Sequence, residues 1–281
     1  MAAVFYVALL MIVMGNGDAV MARTYDRIRI GAASLVWGFD LSEQSKLETF
    51  LDEAADIGYE GILVFDQTVM PWLERPDAFK ALLKKRNLDF VGVILRPHMD
   101  FVGTDKLCRF MAAAGADVMN ISGRDGTAAE WDIVLPALRR HAQIAHSHGI
   151  RASYQHHTDW IAETMDQYER LLAETDREYF GVMTDCGHAT KDFVGHTSQE
   201  FILRHPELDY IEWKDWSPTT ELNTEVGRGV ADWPAIAAAI KQINYKGWLV
   251  IEQNSAFRPA KICAAESFHY ARYILKEAGA I

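Results

Sequence analysis

Trp248-Leu-Val-Ile-Glu252, near the C-terminus, is an apolar run of strand length that ends on a carboxylate. Two earlier runs have the same form: Gly181-Val-Met-Thr-Asp185 and Tyr210-Ile-Glu-Trp-Lys-Asp215, in which Glu212 and Lys214 share one face. Side chains alternate along a strand, so one register aims these groups at one place. Folding alone has no use for charged groups at the ends of successive strands. The pattern therefore marks a site as well as a sheet.

Outward from these runs, the chain keeps one rhythm from Arg27 onward. Eight expected strands, Ile28–Ala33, Gly61–Phe65, Phe90–Leu95, Val118–Ser122, Arg151–His156, Gly181–Asp185, Tyr210–Lys214 and Trp248–Glu252, alternate with amphipathic stretches. The expected helices are Ser42–Ile57, Asp77–Arg86, Thr104–Ala114, Ala128–His148, Thr158–Glu174, Ser198–Arg204, Trp233–Gln242 and Pro259–Ala278, with Ser42 as N-cap of the first. Glycines such as Gly58 and Gly115 follow helices, where a C-cap needs positive φ. Near-continuous apolar strands separated by helices imply a parallel sheet covered by helices. Eight units fit a single (β/α)₈ TIM barrel, assigned to residues 25–281. The first strand–helix turn, Gly31-Ala-Ala-Ser-Leu-Val-Trp-Gly38, lacks the GxGxxG of an open dinucleotide-binding sheet.

The 281 residues are 49% hydrophobic and 24% charged, ordinary for a packed α/β domain. A net charge of −11 without a basic block argues against a nucleic-acid partner. Cys108, Cys186 and Cys263 are scattered and odd in number, which suggests no disulfide framework and a reducing, cytoplasmic setting. Cys186 points away from the site if its strand continues. Residues 1–24 are read as an extension: Ala2–Met14 is apolar but too short to span a bilayer comfortably, and no Lys or Arg precedes it. Met21 opens an ordinary start; an export signal is the alternative. No membrane partner is expected.

A barrel carries its active site at the C-terminal ends of its strands. Those ends hold Asp66, Arg96 with His98, Asn120 with Ser122, Gln155 to His157, Asp185 with His188, Glu212 with Lys214 and Asp215, and Glu252. Asp185, Glu212 and Glu252 in one mouth would repel each other unless a positive group neutralises them. A divalent cation does so economically: manganese first, with magnesium, cobalt or zinc as alternatives. Gln155 or His157 would complete the shell, and Lys214 would balance charge or hold a substrate oxygen. The purely structural alternative pairs Glu212 with Lys214 and lets Asp185 cap the next helix. His98, His156, His157 and His188 supply acid–base capacity, with alternation leaving His156 either at the site or in the helix layer. His141, His146 and His148 read as surface. Trp37, Trp72, Trp160, Trp213 and Trp216 would wall a small polyol or ring.

This pattern resembles the sugar-phosphate isomerase/epimerase superfamily of xylose isomerase-like TIM barrels, nearest to its inosose dehydratase and keto-inositol isomerase branch. The resemblance is carried by Leu51–Phe65, by Asp185-Cys-Gly-His188, by Lys214-Asp215 and by Gly227–Gln253. It implies that Asp185 and Glu252 ligate metal, that His188 and Lys214 contact substrate, and that the protein is a homo-oligomer. The chain departs from the family pattern at the strand-seven histidine, here Glu212, and at the strand-five ligand, here Gln155. Strand two carries Leu63 and Val64 where an acid often stands.

The expected function is a metal-dependent isomerase or epimerase of a keto sugar, polyol or cyclitol. Glu252, Glu212 or a histidine would remove the proton next to a carbonyl, with metal and Lys214 stabilising the enediolate. Loss of a β-hydroxyl, with His188 or His157 as acid, would make it a dehydratase instead. A metal-free sugar-binding or partner-subunit barrel is the non-catalytic alternative.

Overall fold

The computed structural model describes residues 24–96, 100–123 and 131–281. The apolar N-terminal stretch and His98 lie outside the described residues. Eight parallel strands form one sheet: β1 Arg29–Ala33, β2 Gly61–Phe65, β3 Asp89–Leu95, β4 Val118–Ser122, β5 Arg151–Gln155, β6 Met183–Asp185, β7 Tyr210–Trp213 and β10 Trp248–Ile251. A short antiparallel hairpin, β8 Asp215–Ser217 with β9 Glu221–Thr224, follows β7. The sheet order is β5-β4-β3-β2-β1-β10-β7-β6. The two outer strands meet through a parallel bridge between Ala152 and Phe180, and Gly181 N donates to Ala152 O at 2.6 Å. The sheet thus curls into a nearly closed barrel, the architecture expected from the eight-fold rhythm.

The helices are α1 Gln44–Ile57, α2 Asp66–Val69, α3 Pro76–Lys84, α4 Phe101–Ala114, α5 Trp131–Ser147, α6 Met165–Glu174, α7 Cys186–Asp192, α8 Ser198–Arg204, α9 Trp233–Gln242 and α10 Ala260–Glu277. Alternation along the strands sorts their side chains into two cores. Ala33, Leu63, Val91, Val118, Met183, Tyr210, Trp248 and Val250 fill the barrel interior. Ile62, Val64, Met119, Ile211, Trp213 and Leu249 face the helices. Trp248 plugs the barrel, and a Cβ at position 61 would lie 2.6 Å from its ring, so only glycine fits there. Gly58, at φ +106°, ends α1 in the left-handed region.

Several expected details differ, each for a local reason. Ser42 is not the N-cap of α1; Glu43 holds that place without a side-chain bond. The helix expected from Thr158 begins at Met165, because Thr164 and Gln167 close a capping box there. Strand six ends at Asp185, and Cys186 starts α7 instead of continuing the strand. Its thiol is buried and pushed well up by burial, which leaves it inert. His141 is not a surface residue: it is buried, with Nδ1 2.9 Å from the Thr104 hydroxyl. Trp37 packs on Phe50, Trp72 on Phe79 and Trp213 on Trp233, so these three build the outer layer instead of a wall at the mouth. Among the described residues no helix is long and apolar enough to cross a membrane.

Candidate active site

Register places the charged groups side by side. Asp185 pairs with Glu212 across β6 and β7, and Val250 pairs with Glu212 across β7 and β10, so Glu252 stands one inward position higher. Gln155 ends β5 beside Ser122. All of Gln155, Asp185, Glu212, Lys214 and Glu252 are buried, Lys214 to 2% exposure.

Their contacts form one network. Gln155 Nε2 donates to Asp185 Oδ2 at 3.0 Å and to Glu212 Oε2 at 2.8 Å. Lys214 Nζ donates to Glu252 Oε1 at 2.6 Å and lies 3.6 Å from Asp185 Oδ2. The ammonium thus pairs with Glu252 and Asp185, not with its strand neighbour Glu212. Asp185 Oδ1 accepts from the backbone N–H groups of Gly187 and His188 at 2.8 and 3.0 Å, which caps α7. Capping and site chemistry therefore share one residue, using different oxygens. Glu212 Oε1 and Glu252 Oε2 are buried without a donor.

The electrostatics separate the carboxyls. Burial raises the Glu212 carboxyl well above its usual range, and the charges of Glu252 and Asp185 add to the effect. Burial opposes ionisation of Asp185 too, but Lys214, His188, His156 and the backbone N–H of His188 together outweigh it and hold this carboxyl low. Burial also opposes the charge on Lys214, and the carboxylates of Glu252 and Asp185 overcome it, so the ammonium persists. The surroundings thus favour the protonated form at Glu212 and the ionised form at Asp185.

The histidines line one wall. His188 sits 3.9 Å from His157, ring centre to ring centre, and His157 stacks on Trp160 at 3.8 Å. His157 Nδ1 bonds to Thr158 O at 2.9 Å. His188 Nδ1 lies 3.4 Å from Asp192 Oδ2, which also accepts from the Thr158 hydroxyl at 2.7 Å. His188 Nε2 has no partner and lies 4.0 Å from Asp185 Oδ2. Burial lowers His188 to about 3 and His157 to about 4, so both rings are neutral near pH 7. His156 turns the other way, against Tyr168 and Phe193, and its Nε2 accepts from Asp185 N at 3.1 Å. Across the mouth, Asp66 pairs with Arg96 at 3.0 Å.

One residue of the site was not singled out from sequence: Asp192, whose signal was the four-residue spacing from His188, which only a helix makes meaningful. Asp215, expected at a strand end, acts as an anchor. Its carboxylate accepts from Trp216 N, Gly227 N, Gly229 N, Ala231 N and Trp233 Nε1 at 2.7–3.3 Å. It ties the glycine-containing stretch 227–231 to the end of β7, directly after Lys214.

The donor set suits a hard cation, with three carboxylates, one amide and two carboxylate oxygens lacking donors. Among the described residues, no three His, Cys, Asp or Glu side chains already surround one point as ligands would. The reason lies in the network: Lys214 and the amide N–H of Gln155 stand between the carboxylates.

Fold and site together define a barrel whose chemistry sits at its strand ends. Residues 51–265 match the xylose isomerase-like TIM barrel family, and the chain belongs to that family. It is 25% identical to an inosose dehydratase of Lactiplantibacillus plantarum, over 89% of this chain and 96% of that one. An inosose dehydratase of Geobacillus kaustophilus is 22% identical, over 83% and 89% of the two chains. In three dimensions it resembles a D-allulose 3-epimerase from Methylomonas sp., with a TM-score of 0.74 at 20% identity, covering 91% of this chain and all of that one (100%).

Proposed function

We propose that the protein is an enzyme acting on a small keto sugar, polyol or cyclitol, which it isomerises or epimerises after removing the proton next to a carbonyl. One observation carries this reading: Asp185, Glu212 and Glu252 share one buried strand-end cluster with Lys214, whose surroundings push the Glu212 carboxyl up and the Asp185 carboxyl down. Pairs of groups pushed apart in this way are how one site supplies both base and acid.

Glu252 is the base, its carboxylate freed as Lys214 turns toward the substrate. Glu212, whose buried setting favours the protonated form, is the acid that returns a proton to the intermediate. Lys214 stabilises the enediolate oxygen with its ammonium. His188 presents the lone pair of Nε2 to a substrate hydroxyl, with its Nδ1 directed at Asp192. Asp185, Glu252, Glu212 and the Gln155 carbonyl oxygen would hold a divalent ion, manganese being the first choice. Such an ion would supply Lewis-acid polarisation of the carbonyl and a neighbouring hydroxyl.

Dehydration is the second reading, favoured by the relatives named inosose dehydratase. It shares proton removal and differs only in expelling a β-hydroxyl, with His188 or His157 near enough to assist. Incubation with ketoses and inososes, followed by chromatography and absorbance, separates the two. A new sugar isomer supports the first reading and a conjugated enone the second. Binding of a sugar without turnover would instead favour a non-catalytic barrel.

A further inference from the structure

The geometry points to Lys214 as an internal competitor of the divalent ion: its ammonium holds the carboxylate oxygens the ion would need and must leave before the ion binds. This inference rests on the metal-assisted reading above.

Asp185 commits Oδ1 to the first turn of α7, which leaves only Oδ2 for a cation. That oxygen already faces Lys214 Nζ at 3.6 Å and Gln155 Nε2 at 3.0 Å. Glu252 Oε1 is taken by the same ammonium at 2.6 Å. A dication on these oxygens would sit within a few ångströms of a monocation in a site closed to water. Repulsion at that range is not screened, so both cannot stay. The lysine stem has a defined seat. A Cβ at position 187 would meet Lys214 Cγ at 2.8 Å and Leu222 Cδ2 at 3.1 Å, so the stem runs between α7 and the β8–β9 hairpin. Glycine at 187 lets the lysine reach inward. Displaced from these oxygens, the ammonium would take its next partner from a substrate bound at the strand ends. The ion and the ammonium thus exchange places, and loading the metal delivers Lys214 to the substrate.

The experiment titrates Mn²⁺ by calorimetry into wild-type protein, Lys214→Met and Lys214→Gln, each stripped with chelator and checked by circular dichroism. Both variants are expected to bind Mn²⁺ at least tenfold tighter, on the order of the affinity lost to one unfavourable charge. Equal or weaker binding by the variants, with wild type still binding, overturns the competition and leaves the metal-assisted reading standing. No binding by any of the three overturns both. A second measurement needs no variant: acetylation of Lys214 in wild type, read by peptide mass spectrometry. The buried amine is expected to resist reagent without Mn²⁺ and to react at least tenfold faster with it. An unchanged rate with Mn²⁺ bound overturns the exchange.

Discussion

Replacing His156 with Asn removes one of the buried-histidine titrations, with those of His188 and His157, that make the fold sensitive to acid. His156 is fully buried, and its Nε2 accepts the backbone N–H of Asp185. A protonated ring would lose that acceptor and carry a charge among Tyr168 and Phe193. Burial lowers its pKa from 6.5 to about 3. Between those values the unfolded chain binds a proton that the folded chain refuses, so stability rises with pH there. The contribution is complete above 6.5 and is lost as pH falls toward 3. Taking about 1.4 kcal/mol per pH unit, going from pH 7 to pH 5 costs roughly 2 kcal/mol through this one residue. Asn keeps an acceptor oxygen for Asp185 N and does not titrate. Urea unfolding of wild type and His156→Asn at both pH values gives the test. The variant starts less stable, because Asn leaves space beside Tyr168, but it should lose about 2 kcal/mol less on acidification. The same loss in both proteins would refute the share of acid sensitivity assigned to His156.

Gly229→Ala places a Cβ 2.1 Å from Asp215 Oδ1 and 2.3 Å from Trp216 O, so the anchored loop must shift. A stability loss of about 2 kcal/mol in urea is expected, with a fall in turnover as Lys214 loses its support. Asp192→Leu should cut turnover on the order of ten- to a hundredfold with KM nearly unchanged, and Asp192→Asn should restore part of it, because Asn still accepts from His188 Nδ1. Gln155→Glu removes the two N–H bonds to Asp185 and Glu212 and adds a fourth carboxyl. Thermal melts should show the metal-free variant weaker by about 3 kcal/mol and restored by Mn²⁺ more strongly than wild type.

The barrel and the positions of its strand ends were legible because a parallel strand buried on both faces writes a short apolar run, and its period fixes which end residue faces inward. Gln155, Asp185, Glu212, Lys214 and Glu252 were found that way, and the structure brings them together. What they do to one another was less legible. Lys214 and Glu252 are 38 positions apart, and only the register of β7 against β10 makes them an ion pair. The direction of the Gln155 amide depends on two carboxylates on other strands. His141 reads as polar surface, yet the Thr104 hydroxyl on α4 provides it with a buried partner. Asp192 lies on a helix of seven residues, too short for periodicity to announce. Trp213 follows from alternation alone: with Glu212 facing inward, its neighbour must face the helices.

Solvent hydrogen exchange tests the central claim most directly. Wild-type protein with Mn²⁺ is incubated in D₂O with D-fructose, D-tagatose, L-ribulose and an inosose, and deuterium at the carbon next to the carbonyl is followed by proton NMR. The account predicts exchange in at least one of these substrates, reduced on the order of a hundredfold or more in Glu252→Gln. No exchange in any of them with wild type, or wild-type exchange in Glu252→Gln, would contradict it.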